Sequence, residues 1–388
     1  MTKRILYLIE TLGHGGAEHQ LVATVRRLDR RHFQPIVCHF RAPAFLAQEL
    51  LDAGIEVRSL DAPPGKASWP SLTMRVRDMA REVRADLIHT SLLEADVIGG
   101  VAGKLAKVPV ISTLCNIAGD PIRLADNPRN SRLKFATTNL IWGAALRHLH
   151  RHSVAISRAV KDSATTTFGM DPGRLSVIYR GIDADQRLGA TDKAAARARL
   201  GFADASPLLL SVGRLAPQKG HQYLIAALPR LLAEFPKARL LLVGEGWLKP
   251  TLEAQIAGLR LGPHVTFLGK RTDVPELFAA SDVFVFPSLF EGLGVSLLEA
   301  GYAGSACLAS DVGPIPEIID DQRTGLLVPR ADSSALAAAL LRMARDPALR
   351  ERLGAAARAR VLDRFMLPDK VTELQALYSR LLPNIPNG

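Results

Sequence analysis

At 388 residues, with 48% hydrophobic and 22% charged side chains, the chain has the size and balance of two or three globular domains, each able to bury its own core. The longest apolar runs, such as 208–212 and 240–243, are strand-sized and exclude a bilayer span, while three cysteines (Cys38, Cys115, Cys307) without pair or metal-ligand spacing argue for a reducing cytoplasm and against a structural zinc. The net charge is +11, and residues 1–186 carry the larger excess, with 25 Lys/Arg against 18 Asp/Glu. No nucleic-acid motif accompanies it and aromatics are only 5%, so the excess favours an anionic membrane surface or an anionic acceptor over nucleic acid.

Residues 5–9 read as a first strand and not as a leader peptide, because no longer apolar region or cleavage site follows. Strand-like runs at 35–40, 87–89 and 108–113 come next, separated by helical patterns at 17–28, 45–53, 71–84 and 96–105. An Ala/Arg-rich stretch at 183–205, with a short helix expected at 193–200, precedes a second series of strands at 208–212, 240–243, 265–267, 283–286 and 306–309. Helices from His221, Trp247, Pro275, Val295 and Ser333 lie between or after these. Such alternation predicts βαβ units and parallel sheets with helices on both faces. The expected fold is α/β with two Rossmann-like domains, 1–186 and 187–365, and a C-terminal helix within 366–388.

Open parallel sheets bind ligands at the carboxyl ends of their strands, and glycine-bearing turns fall there. After 5–9 comes Gly13-His14-Gly15-Gly16-Ala17-Glu18, which leaves helix N–H groups near Gly16 open to an anion. It is not a dinucleotide fingerprint, since Glu18 holds the third glycine position. After 208–212 comes Gly213-Arg214-Leu215-Ala216-Pro217-Gln218-Lys219-Gly220, where a planar guanidinium and a point charge suit a diphosphate. Gly244 opens the turn after 240–243, and Arg271 stands in the loop after 265–267. After 283–286 comes Pro287-Ser288-Leu289-Phe290-Glu291-Gly292-Leu293-Gly294, and Glu299 lies eight residues beyond Glu291 in the following helix. The N–H groups of Gly292, Leu293 and Gly294 face an anion, while the two carboxylates suit hydroxyl groups. An anion pocket edged with hydroxyl-binding carboxylates describes a nucleotide-sugar.

The 286–300 segment resembles the Glu-x7-Glu motif of retaining glycosyltransferases with the GT-B fold, the glycogen-synthase-like group, glycosyltransferase family 4. The other motifs occur in that family's order over about 5–330. The resemblance implies two Rossmann-like domains whose parallel sheets face a central cleft, with the acceptor on the N-terminal domain, the nucleotide-sugar on the C-terminal one, and the final helix crossing back to the first. It further implies that Gly16 approaches the donor phosphate, that Arg214 and Lys219 neutralise the diphosphate beside Gly213, and that Gly244 and Arg271 lie near the nucleotide. Glu299 is then expected on the ribose hydroxyls and Glu291 near the transferred sugar. The implied reaction retains configuration by front-face attack, with no metal, no cofactor and no enzymic nucleophile. Its donor is a UDP- or GDP-sugar and its acceptor a glycan or lipid-linked hydroxyl in envelope polysaccharide synthesis.

Three positions depart from the family pattern. Ser91 and Cys115 stand where many members carry His, and Arg180 stands where Asn commonly precedes Gly-Ile-Asp. His89 is left as the acceptor-side catalytic candidate, the bland alternative being a hydrogen-bonded core residue. The Cys115 exchange keeps open a catalytically idle GT-B protein that binds a nucleotide-sugar or scaffolds an envelope complex. A nicotinamide oxidoreductase lacks its glycine fingerprint in both halves, and a phosphorylase lacks a lysine motif for pyridoxal phosphate. Residues 123–152 combine Arg123, Arg129, Arg132, Lys134, Arg147 and Arg151 with Leu140, Ile141, Trp142 and Leu146, an amphipathic basic stretch that reads either as a face for an anionic membrane or as a solvated helix over the N-terminal core.

Overall fold

The computed structural model describes residues 2–120, 122, 131–183 and 192–382. Two compact units divide them. The first holds 2–119, 131–181 and 367–382, and the second holds 120, 122, 182–183 and 192–366. Residues 184–191 of the expected junction lie outside the described residues.

The first unit is built on seven strands: β1 (Lys3–Ile9), β2 (Phe33–His39), β3 (Glu56–Ser59), β4 (Leu87–Ser91), β5 (Val110–Leu114), β6 (His152–Ala155) and β7 (Leu175–Val177). They pair in parallel in the order β3-β2-β1-β4-β5-β6-β7. Helices α1 (Gly16–Arg26), α2 (Ala47–Asp52), α3 (Trp69–Glu82), α4 (Leu93–Ala106), α5 (Arg132–Leu149) and α6 (Arg158–Phe168) make the crossovers. Strand β1 explains why the run at 5–9 is apolar without alternation. Ile5, Tyr7 and Ile9 feed one core, Leu6 and Leu8 the other, so both faces of the sheet are buried.

Helix α5 occupies part of the stretch read as an amphipathic membrane face, and it moves two of that stretch's apolar residues into the core. Trp142 and Leu146 are buried, and the Trp142 indole donates to Asp96 Oδ2 at 2.8 Å, so they belong to the core. Leu133, Leu140 and Ile141 are the exposed apolar residues, at 75%, 69% and 41%. Arg123 and Arg129 lie outside the described residues.

The second unit carries β8 (Leu208–Val212), β9 (Arg239–Val243), β10 (Val265–Gly269), β11 (Val283–Phe286), β12 (Ala306–Ser310) and β13 (Leu326–Val328), parallel in the order β10-β9-β8-β11-β12-β13. Its helices are α7 (Lys193–Leu200), α8 (His221–Leu232), α9 (Lys249–Gly258), α10 (Val274–Ala280), α11 (Val295–Tyr302), α12 (Ile315–Ile318), α13 (Ser333–Arg345) and α14 (Pro347–Arg364). Side-chain caps fix several starts. Asp332 accepts from the Ala335 N–H at 2.9 Å, and Asp346 from the Leu349 N–H at 2.8 Å.

The last helix, α15 (Leu367–Leu381), belongs to the first unit. Leu367, Val371, Leu374, Tyr378 and Leu381 recur at helical spacing and bury one face in the core of β1 and α1. The Tyr378 hydroxyl ties it down, 2.6 Å from the Tyr7 hydroxyl and 2.5 Å from His89 Nδ1.

Each strand order reverses once, between β1 and β4 and between β8 and β11. At such a switch the adjoining loops leave toward opposite faces and open a crevice at the carboxyl edge.

Candidate active site

In the second unit the loops after β8 and β11 border that crevice and are joined into one piece. Gly220 has φ +64°, and a Cβ there would lie 2.0 Å from the Pro287 carbonyl oxygen, so only glycine lets the loops meet. The Leu289 N–H donates to the Gln218 carbonyl at 2.7 Å, and Gln218 Nε2 donates to the Phe290 carbonyl at 3.1 Å. Arg330 adds a 3.4 Å bond to the Leu289 carbonyl. Neither Gln218 nor Arg330 was singled out by sequence, because backbone acceptors leave no motif.

These loops bring Lys219 and Glu291 together. The lysine stem passes over Gly213, where a Cβ would stand 3.3 Å from it, and Nζ sits 2.6 Å from Glu291 Oε1. The ammonium also lies 5.1 Å from the Phe286 ring centroid. Both side chains are largely buried, so the pair is a fixed element and not a solvated contact. Sequence had assigned the two residues separate tasks. Arg214 is exposed, with Nη2 donating to Gln218 Oε1 at 3.3 Å.

Gly244 adopts φ +127°, and a Cβ there would meet the Gly213 carbonyl oxygen at 2.2 Å, while its N–H donates to Gly269 at 2.8 Å. It therefore packs the turns after β8, β9 and β10 against one another. Arg271, in the β10 loop, is exposed and pairs with Asp273 at 2.8 and 2.5 Å.

Gly292, Leu293 and Gly294 are buried and lead into α11, with Gly294 at φ +96° beside Phe286 and Ile315. Glu299 lies within α11, partly buried. Among the described residues its carboxylate has no hydrogen-bond or ion-pair partner. Burial, unopposed by any donor, pushes its carboxyl up to about 7.

Gly16 and His89 stand in the first unit. Gly16 opens α1, and its carbonyl accepts from Arg180 Nη1 at 2.6 Å. The Glu18 carboxylate lies beside this helix start, where its Oε1 accepts from the Thr11 hydroxyl at 3.3 Å. His89 is buried and bonded at both nitrogens, Nδ1 to Tyr378 and Nε2 to Thr113 Oγ1 at 2.7 Å. Burial pushes its pKa down to about 3, so the ring is neutral, the hydrogen-bonded core residue that sequence offered as its alternative role. The three departing positions also gather here: Ser91 ends β4, and Arg180 Nη2 donates to Cys115 Sγ at 2.9 Å.

Among the described residues no group of three His, Cys, Asp or Glu side chains could hold a metal, and no helix is long and apolar enough to cross a membrane.

Two parallel-sheet α/β units, of seven and six strands, have the architecture of the GT-B fold. Family models agree: residues 14–186 match "Glycosyltransferase Family 4" and residues 192–360 match "Glycosyl transferases group 1". The D-inositol 3-phosphate glycosyltransferase of Streptomyces scabiei is 30% identical over 335 residues, covering 80% of this chain and 74% of that protein. The UDP-Gal:alpha-D-GlcNAc-diphosphoundecaprenol alpha-1,3-galactosyltransferase of Escherichia coli is 25% identical over 79% of this chain and 78% of its own. Anabaena HepE, crystallised with UDP and glucose, superposes with a TM-score of 0.84 at 25% identity, covering 97% of this chain and 99% of that one. The chain belongs to the family 4 glycosyltransferases with the GT-B fold, and it is a glycosyltransferase enzyme.

Proposed function

We propose that this glycosyltransferase moves a sugar from a UDP- or GDP-sugar to a hydroxyl of a glycan or lipid-linked acceptor, with retention of configuration, in cytoplasmic assembly of cell-envelope polysaccharide. The observation that carries the reading is Glu299, a part-buried carboxylate within α11 that has no donor of its own among the described residues. The paired hydroxyls of a ribose supply what it lacks. The diphosphate then falls to the N–H groups of Gly292, Leu293 and Gly294 and to Arg214 and Lys219.

Breaking the anomeric bond leaves positive charge on the sugar and negative charge on the diphosphate, so fixed cations lower the barrier. Glu291 uses one oxygen to hold Lys219 in place and offers the other to a sugar hydroxyl. With charge compensation supplied by side chains, the scheme needs no metal, no cofactor and no enzymic nucleophile, and the leaving phosphate takes the acceptor proton. The UDP in HepE and the UDP-galactose in the name of the Escherichia coli relative favour a UDP donor. The exposed Leu133, Leu140 and Ile141 beside Arg132 and Lys134 on α5 support peripheral contact with an anionic membrane.

The test is nucleoside diphosphate release from a panel of UDP- and GDP-sugars, with bacterial lipid and glycan extracts as acceptors and product configuration read by proton NMR. One donor should turn over with retention, and Glu299→Ala and Lys219→Ala should lose that turnover. No turnover of any donor by folded wild-type protein would overturn the reading.

A further inference from the structure

The first unit contains a cavity of about 70 Å³ among α1, α15 and the carboxyl ends of β4 to β7, with room for several waters. Among the described residues no aspartate or glutamate lines it. Its charged lining residues are Arg180 and Lys370, and His89 on its wall is neutral. Lys370 is already paired, with Nζ 2.6 Å from Glu373 Oε1. Arg180 is not: its contacts are the Gly16 carbonyl at 2.6 Å and Cys115 Sγ at 2.9 Å, and among the described residues no carboxylate reaches ion-pairing distance. Burial raises the Cys115 thiol further, so the sulfur beside the guanidinium is protonated and does not serve as the missing anion.

A guanidinium has five donors in a rigid fork, and two are spent here on uncharged acceptors. Those two contacts span the loops after β1 and β5 and fix the group at the cavity wall. A part-buried cation held rigid without a counter-ion is poised for an anion brought by a ligand. The two exchanges at Cys115 and Arg180, separate in sequence, are therefore one feature in space.

We propose that this cavity is a subsite for an anionic group of the acceptor, a phosphate or a carboxylate, with Arg180 as its counter-ion. The proposal rests on the transferase reading, since the anion belongs to the acceptor, but anion binding is measured without turnover. The experiment is calorimetric titration of full-length protein with inorganic phosphate and with acetate at fixed ionic strength. Saturating UDP blocks the donor side, and its own binding heat reports the donor reading separately.

Phosphate or acetate should bind the wild type, and Arg180→Gln should weaken that binding by about tenfold or more, the scale of a lost charge-assisted hydrogen bond. Phosphate alone assigns a phosphorylated acceptor and acetate alone a carboxylated one. No binding of either, or equal binding to Arg180→Gln, overturns the proposal. A second readout needs no variant. Cys115 is the part-exposed thiol, Cys38 and Cys307 being buried, so the bound anion should slow its alkylation by iodoacetamide. A rate indifferent to both anions overturns the proposal as well.

Discussion

Glu299→Gln separates the charge of Glu299 from its shape. An ordinary glutamate carboxyl titrates near 4.5, and burial moves this one to about 7. At about 1.4 kcal/mol per tenfold change in proton affinity, holding it ionised costs the free protein about 3 kcal/mol at most, less whatever its partial exposure relieves. Below pH 4.5 the carboxyl is protonated in both folded and unfolded states and costs nothing. Stability is then lost as pH rises toward 7, and the loss is complete above it. Glutamine does not titrate, so the variant should melt with the wild type at pH 4.5 to 5 and several degrees above it at pH 8. Nucleotide should reverse the order. Ribose hydroxyls favour the ionised carboxylate, so stabilisation of the wild type by UDP should weaken as pH falls through 7. The variant, which shares every phosphate titration, should lack that component. The assay is thermal melting of both proteins from pH 4.5 to 9, with and without UDP. Parallel profiles across the range would refute the argument that an unpaired carboxylate waits at this site.

Lys219→Ala leaves Glu291 charged and buried, so it should destabilise the second unit by about 3 kcal/mol in urea unfolding, and adding Glu291→Gln should recover most of that loss. In the first unit, Asp96 accepts from Thr90 at 2.5 Å, Ser112 at 2.6 Å and Trp142 at 2.8 Å. Asp96→Ala orphans the Ser112 hydroxyl and the Trp142 indole, leaves Thr90 only its 3.2 Å bond to the Ile111 carbonyl, and should cost about 3 kcal/mol by the same measurement. Gly220→Ala drives a methyl into the Pro287 carbonyl. It should cost more than about 1 kcal/mol and weaken UDP binding, because the Lys219 loop can no longer sit against the Glu291 loop.

How much of this was legible in the sequence depended on how local the cause was. Interior strands such as 208–212 and 283–286 were plain, because a parallel strand buried on both faces is apolar throughout. Edge strands were less plain. Glu56–Ser59, which closes one side of the first sheet with mixed burial, escaped notice, whereas a strand ending near Ile178 was read and is the three-residue Leu175–Val177. His152–Ala155 escaped notice because its polar residues are buried, with His152 Nε2 bonded to Ser176 at 2.8 Å. The helix at 193–200 and the starts at His221, Val295 and Ser333 were legible from caps and spacing. Helix α4 begins at Leu93, earlier than expected, because Leu92 takes the turn itself at φ +76°.

The site divides the same way. Gly213, Arg214, Lys219, Glu291 and Glu299 could be singled out because each motif lies at one strand end. The Lys219–Glu291 pair bridges 72 residues, and the Arg180–Cys115 contact 65, and no local pattern carries either. In sequence Arg180 read only as a departure from the family pattern, whereas the fold places it on the wall of the cavity.

The most direct measurement is thermal stabilisation by UDP, GDP, ADP and TDP of the wild type and of Glu299→Ala. A ligand that binds only the folded protein raises its melting temperature by mass action, about 2.7 kcal/mol at a hundred times its Kd. One nucleotide, expected to be UDP, should stabilise the wild type by several degrees and leave the variant unmoved. No shift with any of the four, or an equal shift in the variant, would contradict a nucleotide-sugar site organised around Glu299.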